Sequence, residues 1–400
     1  MTRIAVVGAG QAGASLSAKL RALGFSGRIT LIGEEDTLPY QRPPLSKKYL
    51  LKEMSLEQLH LRPERFYAEK DITLLRGRRV TAIDLSRRAL RLDAETVNYD
   101  QLALTTGATP RTLPAALGGE MPGVYVVRNL ADVDAMASEF VAGRRVLIVG
   151  GGYIGLEAAA VAAKLGLRVT LVEAAERILQ RVAAPETSHY FRALHAGNGV
   201  EILEGAGLKR LERGPAISVV LSDGSQREVD FVVVGIGVAA NDRLAAAAGL
   251  ACDGGVVVDA QGRSSDPSVW AAGDCARFAY RGEMIRLESV QNAIDQAEAV
   301  AANMLGAGQD YMPKPWFWSD QYDVKLQIAG LNSGFDQVVV RPGANEKVCS
   351  HWYFRESELL AVDAMNDPRN YMIGKRLIEA GHSPLPEQVA NVEFDLRSLI

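Results

Sequence analysis

An α/β fold built on two parallel-sheet units, followed by an α+β segment, is the class that this 400-residue sequence predicts. Three observations carry it. Two glycine-rich turns, GAGQAG over Gly8–Gly13 and GGGYIG over Gly150–Gly155, each sit between a β-branched apolar run and an alanine-rich stretch of helical spacing. Each unit then closes on a second β-branched run that ends in a glutamate. Beyond residue 314 the pattern changes to alternating stretches separated by turn signals, as in an antiparallel sheet.

In the first unit the strand Arg3–Val7 enters the turn, and a helical pattern over Ala14–Leu23 leaves it and stops at Gly24. Gly8 permits the tight turn, Gly10 lets a pyrophosphate approach the backbone, and Gly13 lets helix and strand pack closely. The phosphates are expected at the positive end of the helix. A second strand over 28–33 ends at Glu34, 21 residues after Gly13, where a carboxylate can accept from a ribose diol.

The second unit repeats this with strand Arg145–Val149, turn residues Gly150, Gly152 and Gly155, helix Leu156–Leu165, strand Arg168–Val172 and then Glu173, 18 residues after Gly155. A 2′-phosphate about 4 Å from Glu173 is repelled by roughly 1 to 4 kcal/mol, depending on the effective dielectric. NADH is therefore expected over NADPH, although Arg168 and Arg177 lie near enough in sequence to soften that preference.

The later segment supplies strands from Lys325–Ala329, Gln337–Arg341 and the run from Trp352, with Asn332–Gly334 as a turn. It has no nucleotide fingerprint. A 48% hydrophobic share and 23% charged residues are ordinary for globular domains, and 400 residues suffice for two or three cores. The net charge of −4 argues against general nucleic-acid binding, and no apolar run reaches membrane-spanning length. A strand that begins by residue 3 leaves no room for a signal peptide, so a cytoplasmic location is expected. Cys252, Cys275 and Cys349 are too dispersed for a dithiol pair, and His60, His189, His195, His351 and His382 lack ligand spacing, so they read as surface or packing histidines and no metal is expected.

The runs RPPLSK (Arg42–Lys47), TTGATPR (Thr105–Arg111), GGGYIGLE (Gly150–Glu157), VWAAGD (Val269–Asp274), ESVQNA (Glu288–Ala293) and PWFWSDQ (Pro315–Gln321) together resemble the FAD-dependent NADH:ferredoxin reductases of bacterial oxygenase systems, over essentially the whole chain. The resemblance implies two Rossmann-like domains of the glutathione-reductase type plus a C-terminal α+β domain. It divides the chain into a discontinuous FAD domain, 1–107 and 240–313, an NADH domain, 108–239, and the remainder, 314–400. It assigns FAD to the first turn, with Gly8, Gly10, Ala12, Gly13, Glu34, Arg42, Lys47, Val80, Thr106, Gly107, Arg128, Gly273, Asp274 and Val290 around it. To NADH it assigns Gly150, Gly152, Ile154, Gly155, Glu157, Glu173, Gly235 and Gly237. Taken alone, Asp274 fits a helix N-cap equally well, Arg128 a solvated strand end, Lys47 a surface lysine and Glu157 a helix glutamate near the positive end of the dipole.

By the same resemblance Lys47, Glu157 and Trp318 serve the chemistry. Hydride passes from NADH to the flavin, and single electrons leave to a two-iron two-sulfur ferredoxin that feeds a haem monooxygenase or ring-hydroxylating dioxygenase. Trp318, and less so Trp316, is the candidate for the flavin's outer edge, with a core position as the alternative. Between Arg62 and Arg91, eight arginines and Lys70 outnumber Glu64, Glu69, Asp71 and Asp84, which suggests an acidic partner docking near Arg62 and Arg65. Two other functions stay open at this point: an NADH oxidase or peroxidase, and an NADH-sensing flavoprotein of the apoptosis-inducing-factor type.

Overall fold

The structure, a computed structural model, describes residues 1–93 and 95–400. The backbone packs into two compact units, one of residues 1–42, 55–109 and 238–315, the other of 43–54, 110–237 and 316–400.

The first unit is organised by a five-stranded parallel sheet in the order Val269–Ala271, Gln101–Leu104, Arg3–Val7, Arg28–Ile32, Ile72–Leu75. The strands are buried on both faces, as parallel sheets generally are, and the helices Gln11–Ala22 and Val290–Met304 pack together on one of those faces. Helix α1 (Gln11–Ala22) buries Leu16 and Leu20 with Ile4, Val6, Ile29 and Leu31, while Val300 and Ala301 of the helix Val290–Met304 join the same core. The strand order reverses beside Arg3–Val7, and the first glycine turn leaves that strand. In open α/β sheets such a switch point is where ligands bind.

The second unit contains a matching parallel sheet, in the order Glu201–Glu204, Arg168–Glu173, Arg145–Val149, Phe231–Val234, Val124–Val126. Again the glycine turn leaves the strand at which the order reverses, and it runs into helix α2 (Tyr153–Lys164). Helix α3 (Pro185–Gly197) starts with proline at its first position, where the missing N–H costs nothing.

The same unit holds a five-stranded antiparallel sheet, Trp316–Gln321, Val324–Gly330, Glu358–Met365, Cys349–Arg355, Gln337–Pro342. Trp352, Phe354 and Val362 from this sheet and Leu377 from the helix Pro368–Ala380 form its core. Arg341 is turned inward, only 8% exposed, and its guanidinium donates to the carbonyls of Val389 and Asn391 (both 2.7 Å) and of Val392 and Phe394 (both 3.0 Å). One side chain thus satisfies the irregular backbone that runs toward the C-terminus.

Candidate functional site

The two glycine turns are nearly superimposable in their demands. Gly8 and Gly150 have φ of 113° and 105°, a region that L side chains rarely adopt. A Cβ on Gly13 would lie 2.0 Å from the Gly8 carbonyl oxygen, and one on Gly155 would lie 2.0 Å from that of Gly150, so both helices approach their strands too closely for any side chain. Gly10 and Gly152 differ, because a Cβ there would meet nothing within 4 Å. Both are helix N-caps without a side-chain cap, which leaves the first-turn amides of α1 and α2 facing open space. Packing explains the outer glycines. The middle ones leave room for another molecule's phosphates against the backbone, so the residues present fit a dinucleotide at each turn.

Around the first turn the structure gathers several sequence candidates. Thr105 Oγ1 donates to the Gly8 carbonyl (2.8 Å), and Gly273, at φ 78°, lies so close to Ala12 that a Cβ on it would be 3.0 Å from the alanine methyl. Thr106 Oγ1 donates to the Asn241 carbonyl (2.7 Å), and Asn241 Nδ2 returns a bond to the Thr106 carbonyl (2.9 Å), which fixes the chain at Gly107. Asp274 sits in a short helical turn, its carbonyl held by Arg286 (2.9 Å), and Val290 opens the helix capped by Ser289. Arg42 binds Glu35 (2.6 Å), while Glu34 is exposed and paired with Arg79 at 3.4 Å. Val80 begins a separate antiparallel sheet.

Around the second turn, Glu173 uses both carboxylate oxygens on backbone, accepting from Gly151 N (2.7 Å) and Ala175 N (2.8 Å). A Cβ on Gly150 would stand 2.5 Å from the Gly235 carbonyl oxygen, so the strand end at Gly235 closes over the turn, and Gly237 follows at φ 91°. Ile154, at the first turn of α2, is 41% exposed, an unusual position for isoleucine beside a helix N-terminus. Arg128 lies half-buried, its amide donating to Asp132.

Lys47 and Glu157 meet. The helical turn Leu45–Tyr49 is broken at Lys47 (φ −131°, ψ −107°), which sends its ammonium to Glu157 Oε1 at 2.9 Å, with Asp320 3.7 Å away. Glu157 is buried on the second turn of α2, and burial pushes its carboxyl above the ordinary range, opposed by Lys47 and by hydroxyl donors. Ser319 Oγ donates to Oε1 (2.7 Å) and Ser46 Oγ to Oε2 (3.2 Å). Ser319 is the neighbour of Trp318, whose ring lies 5.5 Å from that of Trp316; both rings are half-buried. Neither serine was singled out by sequence reasoning, though both lie inside the quoted runs RPPLSK and PWFWSDQ. A buried carboxylate needs more than one donor, and that requirement was the available signal.

The three cysteines are free thiols. The arginines between 62 and 91 are extensively paired: Arg76 with Glu64, Arg87 with Asp84, Arg78 with Glu95 and Arg79 with Glu34. The last two partners lie outside the window that gave the local excess of positive charge, so the net field there is weaker than the count over 62–91.

Comparison with known proteins agrees with this geometry. A family model described as pyridine nucleotide-disulphide oxidoreductase matches residues 2–297, and one described as reductase C-terminal matches 316–400. Rhodocoxin reductase of Rhodococcus erythropolis is 42% identical, with 99% of this chain and 94% of that protein covered. Putidaredoxin reductase of Pseudomonas putida is 38% identical over 99% of this chain and 96% of that one. The crystal structure of the covalent putidaredoxin reductase–putidaredoxin complex contains a chain that superposes with a TM-score of 0.95 at 37% identity, covering 100% of this chain and 98% of that one.

Proposed function

Since this chain belongs to the pyridine nucleotide-disulphide oxidoreductase family and is an NADH-dependent FAD oxidoreductase, we propose that its electron acceptor is a two-iron two-sulfur ferredoxin serving a haem monooxygenase or a ring-hydroxylating dioxygenase. Full-length similarity to reductases named for such small electron carriers supports this. The observation that carries it is the buried Lys47–Glu157 pair in a chain whose three cysteines are all free and far apart in sequence. Without a dithiol to receive them, electrons have to leave from the flavin itself.

FAD, when bound, supplies the chemistry of accepting a hydride and releasing electrons singly. In this reading the first-turn residues Gly8, Gly10, Ala12 and Gly13, with Glu34, Arg42, Val80, Thr106, Gly107, Gly273, Asp274 and Val290, hold it; Lys47 and Arg128 are assigned to the same cofactor. Gly150, Gly152, Ile154, Gly155, Glu173, Gly235 and Gly237 hold NADH. Lys47 offers a positive charge, compensated in the resting protein by Glu157, to the negative charge that arrives with the hydride. Glu157 fixes Lys47 and orients the nicotinamide. Trp318 covers the electron exit, and a residual positive field around Arg62 and Arg65 steers an acidic carrier. The domain division 1–107 with 240–313, 108–239 and 314–400, and a cytoplasmic location, belong to the same proposal; no described helix is long and apolar enough to cross a membrane.

The test is an anaerobic titration of the flavin-loaded protein with NADH, followed by steady-state cytochrome c reduction with and without a two-iron two-sulfur ferredoxin. Stoichiometric bleaching of the flavin, and cytochrome c reduction that requires the ferredoxin, are expected. Rapid turnover with oxygen alone, unaffected by any ferredoxin, would overturn the assignment of the acceptor.

A further inference from the structure

Behind Glu157 lies a string of side chains that the hydride-transfer reading does not use. Ser319 Oγ–H donates to Glu157 Oε1 at 2.7 Å, so only its lone pairs remain, and Gln321 Nε2–H donates to them at 3.1 Å. That bond fixes the Gln321 amide. Its Oε1 then accepts from His195 Nε2–H at 2.8 Å, which leaves His195 Nδ1 as a bare lone pair accepting from the Tyr322 hydroxyl at 3.2 Å. With Glu157 ionised, only one assignment of protons satisfies all four bonds, and in it every donor points toward the carboxylate. Ser319, Gln321 and His195 are fully buried, and Tyr322 stands half-buried at the hairpin between the strands Trp316–Gln321 and Val324–Gly330. Aligned hydrogen bonds of this kind polarise one another.

We propose that Ser319, Gln321, His195 and Tyr322 form a positioning string that keeps Glu157 ionised and fixed on α2, so that the carboxylate does not depend on Lys47 alone for its charge. The inference rests on the reading of Glu157 as part of the hydride-transfer site. The charged groups facing Glu157 are few: Lys47 from the broken helical turn, with Asp320 in turn facing Lys47 from the strand Trp316–Gln321. The sheet strands beneath α2 are apolar at 146–149 and 231–234, and Glu173 of the neighbouring strand is spent on backbone amides. His195 faces Gln321 and Tyr322, and burial pushes its pKa down to about 4, so the ring stays neutral as the string requires.

The experiment compares the flavin-loaded parent with Glu157→Gln, Ser319→Ala, His195→Leu and His195→Gln. Two readouts are followed from pH 5 to 9: the stopped-flow rate of flavin reduction by NADH, and the infrared carboxylic-acid band that Glu157→Gln abolishes. Ser319→Ala and His195→Leu are expected to move the pH at which that band appears, and the acid limb of the rate, upward by about one pH unit. His195→Gln, whose amide places a donor where Nε2–H stood, is expected to keep the parent's profile. Ser319→Ala removes a single oxygen atom and decides the matter should His195→Leu fail to fold. If both donor-removing variants superpose on the parent in both readouts while Glu157→Gln slows reduction, the string is only structural and the inference falls. If Glu157→Gln itself leaves the reduction rate unchanged, the reading of the site falls first.

Discussion

Lys47 and Glu157 show how a single buried ion pair mixes chemistry with stability. Removing one partner of a buried pair leaves the other charge uncompensated, a cost of about 3–5 kcal/mol in ordinary cases. Lys47→Ala should therefore both slow flavin reduction by NADH, by about tenfold or more, and lower the thermal midpoint. Adding Glu157→Gln should restore the midpoint without restoring the rate. A double variant as unstable as Lys47→Ala would show that the pair is not what the first substitution damaged. Glu173 makes a second case, since its carboxylate holds the amides of Gly151 and Ala175 and is proposed to lie against the NADH ribose. Glu173→Ala should narrow the preference for NADH over NADPH in kcat/KM by about tenfold, near the lower end of the range given by Coulomb repulsion, as expected for a partly screened site. An unchanged ratio would remove it from coenzyme choice. Residues of this kind were legible when a motif flanked them: Gly8, Gly13, Gly150, Gly155 and Glu173 stand where their spacing puts them. His195 was not, because nothing in the local sequence around a helix histidine reveals that Gln321, 126 positions later, will meet it.

At the scale of elements, the glycine turns separate two demands that sequence alone blends. Gly13→Ala would drive a methyl to 2.0 Å from the Gly8 carbonyl and force α1 off its strand. It should yield little folded protein. Gly10→Val meets no protein atom near the Cβ, so the fold should survive while FAD content drops steeply, read as flavin absorbance per protein after gel filtration. Equal loss of fold in both variants would contradict this division. The C-terminal sheet teaches the complementary lesson. Its strands were recognised by alternation and turn residues, yet Arg341, at the end of an alternating run, faces inward to satisfy four carbonyls of a segment with little regular structure. Periodicity reports which face a side chain takes, not what backbone awaits it there. Arg341→Lys cannot reproduce a planar fork reaching several acceptors. It should loosen residues 388–394 in hydrogen exchange.

For the molecule as a whole, buried titratable groups set the pH range of stability. Burial pushes His195 and His351 down to about 4, whereas unfolding returns each to 6.5; their contribution is fully present above pH 6.5 and is lost as pH falls through 4. Asp363 acts oppositely. Burial raises it to about 6 from 3.8, so its contribution is greatest below 3.8 and is lost as pH rises through 6. Glu157, also raised, sides with Asp363, and Asp230, held down by Arg145, sides with the histidines. Two histidine protons on the unfolded side stand against Asp363 and part of Glu157 on the native side, so the unfolded chain leads by at most about one proton between pH 4 and 6, or up to about 1.4 kcal/mol per pH unit. Thermal midpoints should fall as the pH is lowered from 6 to 4, and His195→Gln should flatten the decline. A parent profile that His195→Gln leaves unchanged would mean that His195 is not buried as described. None of this balance could be read from composition, which gives a net charge of −4 but not which groups leave water.

The short stretch 43–54, which bears Lys47, belongs with 110–237 and 316–400 in one compact unit, whereas the residues that flank it in the chain belong to the other. Anyone recombining this enzyme with a homologue therefore cannot graft the second nucleotide repeat as one cassette. A chimera that takes 110–237 alone draws the acid and its counter-charge from different parents, and a compatible exchange has to carry three separate segments together.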